Sequence, residues 1–345
     1  MHKIKDIFKK FYAMQIFWPV ASLIALIFLN FIIRPGFVSI NIRDGHLYGN
    51  LIDIINHAAP LMLISIGMTI VIATQWIDIS VGSIIAISAS VSASIIVISG
   101  NVPLAILAGI FAGLICGMWN GMLVAYIGVQ PMVATLILYI VGRGIAQLIT
   151  GGQILTFTNK TFIFIGTGYW VIPFAVYIAV LVVGIVFYLM RKTALGLFVE
   201  SIGVNNSASK FAGINSKRVI FSLYVICGIL SGIAGIIICS NIKCADANNA
   251  GLWLELDAIL ATVIGGTSMA GGRFYIGGTV IGALFIQTLT TTIYSMGVPP
   301  EVTLVVKAVV VIVVCLIQTT EFRKMFNGRL FHSKNNLKAK KVERI

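Results

Sequence analysis

Charge is what this sequence has least of. Of its 345 residues only 10% are Asp, Glu, Lys or Arg, and just 11 are acidic. An ordinary soluble domain carries about 25% charged residues, so a water-exposed globular surface is excluded. Signatures of chemistry are missing too. There is no GxxxxGK[ST] phosphate loop, so the chain is not expected to hydrolyse ATP by itself. There is no HExxH, no GxSxG and no close cluster with metal-ligand spacing, and the four histidines (His2, His46, His57, His332) are scattered. His57 reads as a packed residue near the start of a span. The five cysteines form no CxxC pair, and at least three sit inside apolar runs, which predicts buried, inert thiols. Cys239 and Cys244 fall near one membrane face. No enzyme, no metal site and no cofactor of its own is expected. No small-residue cleavage site follows the first apolar run, so that run is expected to stay as an anchor.

What is abundant is apolar: 59% of residues are hydrophobic and the mean hydropathy is +1.02. Leu, Ile and Val fall in long blocks rather than alternating, which argues for helical spans and against an outer-membrane barrel. The pattern predicts an all-α integral membrane protein with about ten transmembrane helices. The spans fall near 16–33, 51–74, 79–99, 103–126, 131–150, 171–190, 220–241, 256–270, 274–295 and 302–319. Two are short or broken, around Asp78–Ser83 and around Gly265–Gly272. The chain divides into a basic N-terminus (1–15), a transmembrane domain (16–319) with an internal loop at 191–218, and a basic tail (320–345).

The net charge of +13 reflects membrane topology rather than nucleic acid. Four Lys lie in Met1–Gln15, five Lys or Arg in Arg191–Arg218, eight in Glu321–Ile345, and Arg273 adds one more. With both termini in the cytoplasm these clusters share one side, while the opposite loops keep only Arg34, Arg43, Lys160 and Lys243. Arg143 and Lys307 lie within apolar segments, and Lys307 is placed to snorkel or to pair with a carboxylate. The C-terminal KNNLKAKKVERI is expected to touch anionic lipid.

Glycines recur every four residues at Gly109, Gly113, Gly117 and Gly121, again at Gly228 and Gly232, and again at Gly278 and Gly282. Such stripes let two helix backbones approach closely in lipid. The stretch Asn248–Gly272 is different. It is apolar enough for a membrane, yet it holds Glu255 and Asp257 and breaks at two glycine pairs. Ionisable groups at membrane depth line a watery path or pack inside a bundle, and broken helices persist only where protein re-satisfies the backbone. Asp53 and Asp78 are further membrane carboxylates. In WIDISVGS, Asp78, Ser80 and Ser83 are placed to cap a helix start; proton or sodium coupling is the other reading, and it keeps an ion-coupled secondary carrier as the alternative class. The polar segment Arg191–Arg218 is long enough for one or two short surface helices, either a solvated connector or a docking surface.

These motifs resemble a known family. IDISVGS (Ile77–Ser83), NGMLVAYIGVQPMVATL (Asn120–Leu136), TALGLFVESIGVNNSASKFAGIN (Thr193–Asn215) and LELDAILATVIGGTSMAGGRF (Leu254–Phe274) are similar, in order, to four segments of sugar ABC-importer permeases of the ribose/xylose/galactose group. Within that group the likeness to galactofuranose permeases is greatest, carried by GRGIAQLITGGQILTF (Gly142–Phe157), ADANNAGLWLELDAIL (Ala245–Leu260) and PPEVTLVVKAVVV (Pro299–Val311). Two departures stand out: Gln75 and Trp76 replace the family's usual glycine pair, and Thr267 replaces a small residue. The resemblance implies a multi-pass permease of a bacterial inner membrane. It would be paired with itself or a related permease, powered by a cytoplasmic ATPase with two fused nucleotide-binding domains, and fed by an extracytoplasmic sugar-binding protein. ATP would bind the ATPase, not this chain. It places the ATPase-coupling loop at Gly203, Asn205, Ala208, Gly213 and Ile214. The polar residues on matched motifs at helix breaks or span ends are the expected substrate path: Asp78, Ser80, Asn120, Gln130, Thr135, Asn248, Asn249, Glu255 and Asp257.

Overall fold

A computed structural model describes residues 16–39, 41–43 and 45–318. The basic N-terminus 1–15 and the tail 320–345 lie outside the described residues. The chain forms two units, Met1–Thr292 and Ile293–Ile345.

The first unit is a bundle of helices with two small hairpins. In chain order it holds α1 (Phe17–Ile33), strands β1 (Asn41–Arg43) and β2 (His46–Tyr48), α2 (Asn50–Ile72), α3 (Val81–Ser99), α4 (Val102–Met122) and α5 (Pro131–Thr150). Next come β3 (Leu155–Thr156), α6 (Lys160–Thr167), α7 (Phe174–Lys192), the short α8 (Ala194–Val204) and α9 (Asn206–Phe211), and the long α10 (Ser216–Ile242). β4 (Cys244–Ala245), α11 (Leu254–Ile264) and α12 (Ile276–Ser295) complete the series, and α12 runs across the unit boundary. The second unit contributes α13 (Pro300–Gln318).

Among the described residues, 7 helices are long and apolar enough to cross a membrane: α2, α3, α4 with its π-helical extension to Ile127, α5, α7, α10 and α12. The chain is thus a multi-pass membrane protein. The expected count of ten spans is not confirmed. α1 is 17 residues long, α11 has 11 residues, and α13 runs for 19 residues, Pro300–Gln318. At 1.5 Å per residue α11 covers only about 16 Å of a ~30 Å hydrocarbon layer, so it is a half-helix, as its acidic start and glycine end suggest.

The burial pattern sorts the helices. α2 and α3 are enclosed over most of their length and α10 over much of it, whereas α4, α5 and α7 expose broad apolar faces. The closest packing joins α4 to α10, and glycine is its cause. A Cβ on Gly113 would lie 2.9 Å from Gly232 Cα, and one on Gly228 would lie 2.7 Å from Gly117 Cα. The two stripes read from the sequence face each other, backbone on backbone, where dispersion contacts drive association in lipid. Gly278 and Gly282 pack in the same way against Gly265 and Ala261 of the α11 end. A second seam is polar: Thr69 of α2 hydrogen-bonds Thr279 of α12 at 2.7 Å and Thr262 of α11 at 3.3 Å, and Thr262 donates to Ser65 O.

Two predictions follow from this packing. Gly113→Ala forces backbone apart and should cost about 1–3 kcal/mol of stability. Gly144→Ala, at a site where a Cβ meets nothing within 4 Å, should be neutral or slightly stabilising; comparing the two by thermal unfolding in detergent tests the contact. Of the four described cysteines, Cys116, Cys227 and Cys239 are buried and only Cys244 is partly exposed. Maleimide labelling of the native protein with peptide mapping should therefore modify Cys244 and spare those three.

Candidate translocation site

Three places where the helices break define the site. The first lies between α2 and α3. After Ile72 the chain leaves the helix, turns at Gln75 (φ 70) and re-enters at Val81. Asp78 is fully buried in this break. Its Oδ1 accepts hydrogen bonds from the Ser80 N–H at 3.0 Å and the Ser80 hydroxyl at 2.6 Å, and the Ser80 oxygen accepts from Asn120 Nδ2 at 2.7 Å. Ser80 holds the N-cap position of α3 but makes no side-chain cap bond, so the expected cap is a local turn instead: Asp78 folds the chain back onto Ser80. Ser83 donates to Ser80 O and to Leu138 O of α5, tying the break to a third helix. Asp78 Oδ2, Asn120 Oδ1 and the Tyr224 hydroxyl are buried without a hydrogen-bond partner.

The second break is the turn from β4 to α11. β3 pairs with β4 (Leu155↔Ala245, Thr156↔Cys244), pinning the segment after α5 to the start of this turn. Asp246 then organises it, accepting from the N–H groups of Asn248 at 2.9 Å and Asn249 at 3.2 Å and from Asn249 Nδ2 at 2.7 Å. Burial works to raise the Asp246 pKa, but these hydrogen bonds and nearby Arg143 outweigh it and hold the carboxyl below its ordinary value. Arg143 of α5 closes the turn from the other side. Its Nη1 donates to the carbonyls of Ala250 (2.6 Å), Ala247 (3.1 Å) and Asn248 (3.3 Å). One turn along α5, Gln147 Nε2 donates to Asn248 Oδ1 at 2.5 Å. One turn the other way along α5 stands Tyr139. Glu255 is only 2% exposed. Gly82 and Gly251 lie against each other beside its Oε2, and a side chain at position 82 would strike both.

The third place is where α8 and α9 meet the ends of α2 and α11. Gly203 of α8 lies directly on the Ala73 carbonyl and the Gly272 N–H, with no room for a Cβ. Gly272 N–H donates to Ala73 O at 2.9 Å, and Gln75 Nε2 donates to Gly203 O at 2.8 Å. A non-glycine residue at positive φ is uncommon; the hydrogen bond from its side-chain amide to the Gly203 carbonyl is what Gln75 gains there. The rest of the loop is built by capping. Asn205 accepts from Ala208 N–H at 3.0 Å to start α9, Gly213 ends it at φ 84, and Asn215 starts α10 by accepting from Arg218 N–H. At its tip Phe211 is 93% exposed.

The predicted path residues therefore separate into groups. Asp78, Ser80 and Asn120 come together; Asn248, Asn249 and Glu255 gather around the second break, with the two asparagines exposed. Gln130 sits apart, exposed at the start of α5 beside a cavity of about 400 Å³ shared with Trp76, Asn206 and Lys210 under the loop. Thr135 is buried and its hydroxyl donates to Pro131 O of its own helix. Asp257 is half-buried in the first turn of α11. His57 is exposed rather than packed, and with Asn241, Asp246, Asn249 and Gln287 it lines a cavity of about 440 Å³ beside the second break. Sequence reasoning passed over Tyr139, Gln147 and Phe211 and left Arg143 without a role. Tyr139, Arg143 and Gln147 stand four residues apart, a polar stripe on an otherwise apolar helix, and that spacing was a usable signal.

Comparison with known proteins agrees with this architecture. Residues 50–315 match the family model described as branched-chain amino acid transport system / permease component. The galactofuranose transporter permease of Escherichia coli is 46% identical over 317 residues, covering 90% of this chain and 93% of that protein. The fructose import permease of Bifidobacterium longum is 37% identical, over 92% of this chain and 91% of its own length. The ribose import permease of Escherichia coli is 36% identical, over 86% of this chain and 92% of that protein. No solved structure matches. A likeness that runs through all three helix breaks and the loop joining them places the chain in the transport-system permease family, as a relative of the sugar import permeases.

Proposed function

We propose that this chain is the membrane-spanning subunit of an ATP-binding-cassette importer and carries a monosaccharide, galactofuranose or a close analogue. The observation that supports this best is the 46% identity to the galactofuranose transporter permease over 90% of the chain. The other two relatives compared are also named for sugars. The chain carries no phosphate loop, so energy would come from a separate ATPase with two fused nucleotide-binding domains, and ATP would bind there. A sugar-binding protein would deliver the solute outside, and a second permease, identical or related, would complete the pore. The exposed apolar faces of α4, α5 and α7 leave ample surface for that second subunit and for lipid.

In this reading the α8–α9 end faces the cytoplasm of a bacterial inner membrane. Arg191, Lys192, Lys210, Lys217, Arg218 and Arg273 all lie at that end, while Lys160 and Lys243 lie in segments at the other, as the positive-inside rule requires. Both termini would then be cytoplasmic. The ATPase would grip the loop, and Phe211 is its natural anchor: a lone aromatic ring held out at the tip of a capped helix fits a partner's pocket. Movement of the loop would reach the pathway through Gly203, which touches the ends of both the α2–α3 break and the α11 segment. The path itself would run past Asp78, Ser80, Asn120, Asn248, Asn249 and Glu255, with Gln130, Thr135 and Asp257 towards its margins. Alternating access follows from shifting short half-helices rather than whole spans.

The test is ATP hydrolysis and solute uptake in proteoliposomes holding the chain, its ATPase and its binding protein, the last added empty or loaded with galactofuranose, galactopyranose, ribose or xylose. Stimulation by one loaded sugar is expected. Accumulation by the chain alone under a proton or sodium gradient would replace the importer with an ion-coupled carrier. Phe211→Ser should weaken ATPase association by about 30-fold, as for a loss of ~2 kcal/mol at an interface anchor, without moving the unfolding temperature of the isolated permease; co-purification and thermal unfolding measure the two separately.

A further inference from the structure

The second break contains a set of polar groups that the fold does not use. Arg143 spends one nitrogen, Nη1, on three carbonyls of the Ala247–Ala250 turn. Its Nε and Nη2 are buried and make no hydrogen bond. Those two nitrogens form the side-on fork of a guanidinium, a pair of parallel donors spaced for two oxygen atoms of one ligand. Across the same turn, Glu255 is buried with Oε2 unpartnered; that oxygen lies against Gly82 and Gly251, and Gly251 directly follows Ala250, whose carbonyl Arg143 holds. Leaving buried charged groups without hydrogen bonds is costly, and the fork and the Oε2 atom do not relieve it by bonding each other. Here Nη1 is anchored to the turn and Glu255 is seated against Gly82 and Gly251, so these three atoms stay buried and unpaired. The rim next to them, Gln147 and Asn248, is exposed.

We propose that the Arg143 fork and Glu255 Oε2 form a solute station in the pathway, taking one hydroxyl-bearing edge of a neutral sugar. This rests on the importer reading above and gives it a contact point. A sugar hydroxyl accepts one hydrogen bond and donates another, so a pair of neighbouring hydroxyls satisfies the fork and the carboxylate together. The station's two charges cancel, which favours a neutral solute: an anion meets Glu255 and a cation meets Arg143. Its donors are fixed by the turn and its acceptor by a glycine, so the geometry waits for the ligand rather than forming around it. Arg143 is thereby a specificity-determining residue, separate from its work of holding the turn.

The experiment is a cycle between side chain and hydroxyl. Uptake of the transported sugar and of its single-deoxy analogues is measured in the full complex, for the native chain and for Arg143→Lys and Glu255→Gln. The binding protein is saturated in every case, and its own preference cancels because all chains meet the same one. The native chain should carry one deoxy analogue roughly tenfold or more slowly than the parent sugar, as for loss of a hydrogen bond to a charged group. Arg143→Lys keeps a cation for the turn but has no fork, and it should carry that analogue and the parent at nearly equal rates. Glu255→Gln, which keeps size and shape, should lose discrimination at the same hydroxyl or its neighbour. If both variants slow every analogue by the same factor, the residues are only structural and the station is wrong. Preferential uptake of a branched-chain amino acid zwitterion by the native chain, lost in the same variants, also overturns it as a sugar site. Absence of any uptake dependent on the binding protein in the native chain, with folding intact, brings down the importer reading itself. Should Arg143→Lys fail to fold, Glu255→Gln carries the test alone.

Discussion

Hydrocarbon offers no hydrogen bonds, and the rest of this structure follows from that constraint. A chain that stays helical through the membrane satisfies its own backbone; a chain that breaks must find partners inside the protein. This one breaks three times, and each break is closed by a specific donor. Gly272 N–H and the Gln75 amide close the junction of α2, α8 and the α11 segment. Ser80 and Asn120 close the Asp78 turn. Arg143 closes the Ala247–Ala250 turn with a single nitrogen shared by three carbonyls. The polar side chains at these helix ends supply the hydrogen bonds that the broken backbone lacks.

The same economy explains why the glycines are where they are. Gly203 and Gly272 let three segments meet at backbone distance, and Gly82 makes room for a buried glutamate. Gly113, Gly117, Gly228 and Gly232 serve a different purpose, pressing α4 onto α10 as a rigid pair. A rigid pair beside short, separately tethered half-helices is a division of labour suited to a transporter. The long helices form the frame, and the short α11 is docked on it through Thr262 and through Gly265 and Ala261. The α8–α9 loop meets the end of α2 at Ala73 and the segment after α11 at Gly272, both through Gly203.

Much of the fold was legible. Hydropathy located the long spans, glycine periodicity marked the stripes that the packed bundle pairs as the α4–α10 seam, and the breaks near Asp78 and Gly265 stood out as polar or glycine-rich interruptions of apolar runs. Individual site residues were harder to read, for a physical reason. Asp78 and Thr135 carry the same sequence signal, a polar side chain in an apolar context, yet one holds Ser80, which Asn120 of α4 also bonds, and the other only bonds back to its own helix. Arg143 looked like an isolated cation because its partners are backbone carbonyls more than a hundred residues away, and carbonyls leave no mark in a sequence. Phe211 was invisible among so many hydrophobic residues, since only its exposure sets it apart.

By itself the sequence determined that the chain lives in a membrane, where its helices run and where they stop, because the free energy of placing each residue in lipid depends on local composition and length. Its motifs also determined the family. Tertiary structure alone decided which polar groups meet. It brought Glu255 to Gly82, set Arg143 under the Ala247–Ala250 turn with two of its three guanidinium nitrogens unbonded, and laid Gly203 between two breaks. Those meetings depend on how distant helices cross and on which atoms remain unsatisfied once they have crossed. Contacts of that range are a property of the packed bundle, not of any single stretch of chain.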